Sequence, residues 1–222
     1  MLKAAALAVA VSLALLGATL AQTPQHTAVS ATPTVSITHL RQEIDDLKYE
    51  FAALEFSLRE LHAVLHEQEE FARELGIPVT TAVIINECSK LYNLPKAMIL
   101  AVMSGESSFR ARAENTSNKD GTWDRGLMQI NEGTAPWLWT KIMPDIPYDP
   151  ERVYHPPINI HMGCWYLRYL LDQNQQDYHR AFTAYNRGPT GMRDLVKATG
   201  SAQSKYSTRV MAFYLMYSEK GE

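Results

Sequence analysis

One pattern constrains this chain more than any other: apolar residues recurring at alternating spacings of three and four. Ile37, Leu40, Ile44, Leu47, Phe51, Leu54, Leu58, Leu61 and Leu65 keep the alternation unbroken, and Gln68, Ala72 and Leu75 continue it more weakly. A mean step of 3.5 residues puts these side chains on one stripe of an α-helix, the seam of a coiled coil. A β-strand, with its period of two, cannot gather them on one face. The pattern therefore predicts a coiled-coil helix over residues 36–76. Charge follows the same division. Residues 36–78 hold four basic and ten acidic side chains, a balance of −6, whereas the 222-residue chain totals −3. Residues 79–222 hold sixteen basic and fourteen acidic side chains, a balance of +2. That is far from the strong basic patch that nucleic-acid binding requires, so no nucleic-acid partner is expected.

The seam has two possible occupants. In a parallel pair of helices Glu43 would face Lys48, which is favourable, while Glu50 would face Glu55, which is not. Val64 and Phe71 widen the apolar stripe beyond a two-stranded seam. A long apolar seam left in water is costly, so self-association or a protein partner is favoured, with docking on the chain's own C-terminal region left open. His62 and His66 lie one turn apart. However, the segment HEQEE carries Glu70 where a zinc-protease H-E-x-x-H motif needs its second histidine. No third ligand is evident and no phosphate-binding glycine loop occurs, so no metal and no cofactor are expected.

Ahead of the seam, Lys3 precedes an uncharged run rich in Ala, Leu and Val from Ala4 to Leu20, with small residues at Thr19 and Ala21. This is the pattern of a secretory signal over residues 1–21, cleaved before Gln22. The competing reading is an uncleaved membrane anchor formed by residues 4–20, at the lower limit of a spanning length. Both place the rest of the chain outside the cytoplasm, whether secreted, periplasmic or attached to the cell wall. Residues 22–35, rich in Thr, Ala and Pro and without charge, read as a flexible linker.

Residues 79–218 read as one mainly α domain, close to the commonest domain size. Thr80 or Thr81 is expected to cap a helix whose stripe is Val83, Ile84, Cys88 and Leu91. Pro95 then opens PKAMILAVMSGE, apolar almost all round and so buried. The polar stretch from Arg110 to Arg125 contains Asp120-Gly121, the signal of a small β-hairpin insertion. Five helical segments follow. Thr134 is placed to cap the first, Pro156-Pro157 opens the second, Arg187-Gly188-Pro189 stops the third, Gly200 stops the fourth, and a last helix carries Tyr206, Val210, Phe213, Tyr214 and Tyr217. Cys88 and Cys164 fall in different helices beside apolar residues. In an exported protein a disulfide and two buried thiols are both admissible.

One acid stands out chemically. Glu106 ends the apolar helix, between Met103 and Phe109. Such surroundings disfavour the anion and raise the pKa, as a general acid at neutral pH requires.

Three blocks around this acid carry a resemblance. Glu106-Ser107-Ser108-Phe109, Gly126-Leu127-Met128-Gln129-Ile130 and Ala184-Tyr185-Asn186, in that order, resemble the signature blocks of soluble lytic transglycosylases. The Asn159…Gly163…Tyr166-Leu167 stretch fits as well, and the resemblance covers about residues 80–218. It implies a lysozyme-like α fold acting on peptidoglycan glycan strands. The bond cleaved would be the β-1,4 bond between N-acetylmuramic acid and N-acetylglucosamine, leaving a 1,6-anhydromuramic end. Glu106 would be the acid and base. The resemblance places Ser108, Met128, Gln129 and Asn186 against the sugar, and Tyr185 where its hydroxyl orients the Glu106 carboxyl.

The match has departures. Asn115 stands where many members have a sugar-contacting Ser, and Arg187 follows Asn186 where Ala is usual. The segment from Asn118 to Asn131 is also similar to one in animal-type lysozymes, which puts Asp124 at the place of a second carboxylate. A hydrolase using Glu106 and Asp124 is therefore an alternative, with Asp124 as a mere hairpin-closing residue the plainer account. A non-catalytic wall-binding scaffold assembled through the coiled coil is a third reading.

Overall fold

The structure, a computed structural model, describes residues 36–118 and 120–220. The expected signal or anchor and the linker lie outside the described residues. The chain divides after Glu67 into two compact units.

In the first unit the heptad pattern folds as expected into helix α1, which spans Ile37–Leu75. All nine seam residues from Ile37 to Leu65 are 45–69% exposed. The stripe is a continuous apolar face along the helix. Short ion pairs one turn apart, such as Lys48 with Asp45 at 3.0 Å, decorate the flanks and add only a few tenths of a kcal/mol each.

The second unit starts inside the same helix. Gln68 and Ala72 are buried, and the Lys96 ammonium sits 5.4 Å from the centre of the Phe71 ring. Gly76, with φ of +64°, ends α1 in the left-handed conformation, and the Ile77 amide donates back to the Ala72 carbonyl at 3.0 Å. Helix α2, Val79–Leu91, begins a turn earlier than the threonines suggest. Pro78 holds the N-cap position and Thr81 is buried inside the helix. Its buried face is Thr81, Ala82, Ile85 and Cys88, while Leu91 is exposed, so the expected stripe is rotated. Burial here is set by helix α3, Lys96–Ser107, and helix α5, Pro156–Gln173, both of which pack on α2.

Helix α3 is the centre of the domain. Residues Met98 to Met103 are six consecutive buried side chains, as its all-round apolarity demands. Its most extensive neighbour is helix α7, Lys205–Lys220, which approaches closely because Gly105 offers no Cβ to Val210.

Three two-residue strands follow: β1, Glu114–Asn115; β2, Asp124–Arg125; and β3, Ile130–Asn131. They form an antiparallel sheet in the order β1-β2-β3, pairing Asn115 with Asp124 and Asp124 with Asn131. The hairpin signal Asp120-Gly121 lies in the long β1–β2 connection, where the Gly121 amide closes a turn onto the Asn118 carbonyl at 3.0 Å. The third strand was not foreseen.

Helix α4, Ala135–Ile142, has Thr134 at its N-cap position, but the hydroxyl makes no capping bond. A 3-10 turn over Pro150–Tyr154, capped by Asp149, leads into α5. Helix α6, Tyr178–Thr199, is broken at Gly188, whose φ of 71° and ψ of 161° are not helical. The architecture is mainly α with a small β insertion, as expected. Cys88 on α2 and Cys164 on α5 are free, fully buried thiols.

Candidate active site

The site is assembled where α3 ends. Ser107 is buried, and its hydroxyl donates to the Leu127 carbonyl at 2.7 Å, tying the last turn of α3 to the Gly126–Ile130 segment. Ser108 and Phe109 then take φ of 50° and 61°, two left-handed residues in succession with no glycine. Such conformations cost about 1 kcal/mol or more each and collect at functional sites, where packing over-determines the backbone. Phe109 is held edge-on against Tyr217, with ring centres 6.4 Å apart.

The facing wall is fixed by Asn159, which is wholly buried on α5. Its Oδ1 accepts the Met128 amide at 2.8 Å, and its Nδ2 donates to the carbonyls of Arg125 and Val153, each at 2.8 Å. Gly126, with φ of +80°, lies so close that an added Cβ would stand 2.4 Å from Asn159 Nδ2.

Between these walls opens a cavity of about 620 Å³, lined among others by Glu106, Asp124, Gln129, Tyr185 and Asn186. Burial pushes the Glu106 carboxyl up to about 7. The nearby charge of Asp124 adds to the rise, and a hydrogen bond from Tyr206 and the charge of Arg209 oppose it. A carboxyl with that value is substantially protonated near neutral pH, as an acid catalyst must be. The Tyr206 hydroxyl donates to Glu106 Oε1 at 2.5 Å, while Arg209 donates to the Gly105 carbonyl at 3.1 Å.

The expected residues distribute unevenly. Glu106, Gln129, Tyr185, Asn186 and Asp124 share the cavity. Gln129 spends its Nε2 on the carbonyls of Ala113 and Gly126 at 3.0 and 2.9 Å, so it is held with Oε1 as its remaining polar atom. Met128 is fully buried, packed on Gly163 rather than lining the cavity. Ser108 caps α3 with an exposed side chain and is not part of the lining.

Tyr185 does not bond to the acid in this structure. Its hydroxyl donates to the Met128 carbonyl at 2.9 Å, and the orienting bond expected of it comes from Tyr206. Burial drives both phenol pKa values well above the usual range, so each hydroxyl keeps its proton to donate. Asp124 accepts from Asn115 Nδ2 at 2.9 Å and from Asn131 Nδ2 at 2.8 Å. Those amides clamp the carboxylate across all three strands. Tyr206 and Arg209 are the residues sequence reasoning missed, and Asn159, part of the resemblance, was given no role there. Tyr206 is 100 positions from its partner, and no local pattern marks it.

An all-round apolar helix that ends on an acid with a raised pKa, set in a polar cleft beside a small antiparallel sheet, defines a mainly α domain with a candidate acid site. The chain belongs to the transglycosylase SLT domain family, whose model matches residues 83–208. Protein IpgF of Shigella flexneri is 31% identical over 107 residues, or 46% of this chain, and the corresponding Shigella sonnei protein matches equally. The chain spans 64% of the length of these two relatives. Among solved structures, lytic transglycosylase Slt of Pseudomonas aeruginosa, determined as an inactive Glu-to-Gln mutant, superposes with a TM-score of 0.53 at 25% identity. That likeness covers 62% of this chain and 24% of the other. A 70-kDa soluble lytic transglycosylase in complex with bulgecin A gives a TM-score of 0.51 at 22% identity, over 63% of this chain and 24% of the other. These structures share the fold of the domain.

Proposed function

We propose that the protein is an extracytoplasmic peptidoglycan lytic transglycosylase with Glu106 as its acid and base. The observation that carries this reading is the Glu106 carboxyl: its value near 7 comes from burial, and it stands in the cavity with Tyr206 as its orienting partner. Glu106 donates its proton to the glycosidic oxygen as the bond to the muramyl anomeric carbon breaks. The resulting carboxylate then takes the proton of the muramyl C6 hydroxyl, whose oxygen closes on the anomeric carbon. One proton is given and one regained, and a 1,6-anhydromuramic end is left. One carboxyl suffices because the nucleophile belongs to the substrate, unlike the two-carboxyl hydrolases. Gln129 and Asn186 would contact the sugar, and Tyr185 would shape the wall through its bond to the Met128 carbonyl. Ser108 and Met128 would act through the backbone path they impose. The family match supports the chemistry, and the leader-like sequence of residues 1–21 supports export.

One observation favours a second reading: Asp124 shares the cavity and its charge is felt by Glu106. A water-using hydrolase would need Asp124 as that second carboxylate. Its two amide partners instead suit a fixed negative charge that stabilises an oxocarbenium-like centre.

Mass spectrometry of peptidoglycan digested by the purified protein separates the readings. Anhydro ends are expected, and reducing muramic ends would establish the hydrolase. Glu106→Gln should lower turnover by about 10²–10⁴. Undiminished activity in that variant would remove Glu106 from the mechanism, and binding without turnover by the unaltered protein would point to a scaffold. We further propose that the α1 seam joins copies of the chain.

A further inference from the structure

The cavity contains one charge that the proposed chemistry does not use. Among the described lining residues Arg187 is the only cation, and it shares the cavity with Glu106, Asp120 and Asp124. Its position is built into the fold. The first segment of α6 ends at Arg187 because Gly188 leaves the helical conformation and Pro189 follows. The second segment then returns Gly191 against it, and a Cβ on Gly191 would stand 3.0 Å from Arg187 Cβ. The base of the side chain is therefore fixed, while the residue as a whole is exposed at the cavity.

The charges that act on Glu106 are those of Asp124 and Arg209. No carboxylate among the described residues forms an ion pair with Arg187. Sugar hydroxyls and N-acetyl groups are neutral and need no guanidinium. The anionic groups of a peptidoglycan strand are carboxylates on the muramyl side chain, either the free lactyl carboxylate or those of a stem peptide attached to it. Asp120 and Asp124 repel such a group elsewhere in the cavity, whereas a guanidinium binds it through two parallel bonds. Resting on the reading of this cavity as the glycan site, we propose that Arg187 is a specificity-determining residue. It receives a muramyl side-chain carboxylate and so sets the register in which a strand lies across Glu106.

Three ligands test this with the full protein and its Arg187→Ala and Arg187→Lys variants. They are N-acetylglucosamine oligomers, which carry no carboxylate, denuded glycan strands with free lactyl groups, and strands with intact stem peptides. Arg187→Ala should raise KM about tenfold on a carboxylate-bearing strand, with kcat and the pH profile unchanged and oligomer binding unaltered. Arg187→Lys should recover part of the loss. Added salt should erode the advantage of the unaltered protein, because the contact is exposed. The strand that loses affinity identifies the carboxylate. Equal affinity of the protein and Arg187→Ala for both carboxylate-bearing strands would overturn the proposal. An unaltered protein that binds all three ligands but cleaves none would defeat the transglycosylase reading alone, since the affinity comparison still stands.

Discussion

Glu106 is held by two opposing influences, and this makes its titration testable at a single bond. Burial raises the carboxyl to about 7, and the hydrogen bond from Tyr206 pulls it down by favouring the anion. In the proposed mechanism the protonated form starts the reaction, so kcat/KM should be sustained below pH 7 and fall as pH rises through that value. Tyr206→Phe removes the bond that favours the anion, so the fall should move to higher pH. Turnover should also drop about tenfold as the carboxyl loses its orientation. A pH–rate profile of the two proteins checks both, and a fall moving to lower pH would contradict the assignment. Glu106 was legible in the sequence because its environment is local: an apolar helix and a neighbouring Phe109. Tyr206 was not, since its bond forms only when α7 packs on α3. That the Tyr185 hydroxyl bonds to the Met128 carbonyl was hidden for the same reason. Two tyrosines enter the region, and only tertiary packing decides which hydroxyl meets the acid.

The elements were easier to read than their edges. Helix α3 followed from its unbroken apolarity, and the kink of α6 from Gly188-Pro189, which no helix absorbs silently. The stripe of α2 was misplaced because a helix pressed by two neighbours buries the face they choose, and Thr81 and Ile85 lie there while Leu91 does not. The third strand escaped notice because two-residue strands carry no periodicity. Asn159 joins Ser107 and Tyr185 in holding that sheet to the helices. Asn159→Ala would orphan the Met128 amide and two carbonyls in a dry interior, at about 2–5 kcal/mol. Chemical denaturation should show the loss, with the midpoint falling and the slope unchanged. An unaltered midpoint would mean that water replaces the side chain without cost.

At the scale of the whole molecule, the heptad seam was the most legible feature and the C-terminal domain the one that needed motifs. The acidic balance of −6 belongs to residues 36–78, and the slight positive balance of the remainder suits an anionic wall polymer without identifying it. Nine seam residues exposed by 45–69% make an apolar strip that a second helix can cover. Light scattering should therefore give an oligomeric mass for the protein and a monomeric one for Leu54→Lys/Leu58→Lys, with cleavage per active site unchanged. Equal monomeric masses would count against self-association.

The Asn159 clamp also bears on how such a site changes over time. All three of its bonds go to backbone atoms of Arg125, Met128 and Val153, so it recognises a chain path and is indifferent to the side chains along it. Those three positions are free to drift as far as this clamp is concerned, and the cleft can acquire new walls while its scaffold stands. Gly126 has no such latitude, because any larger residue would fill the space that the clamp itself occupies.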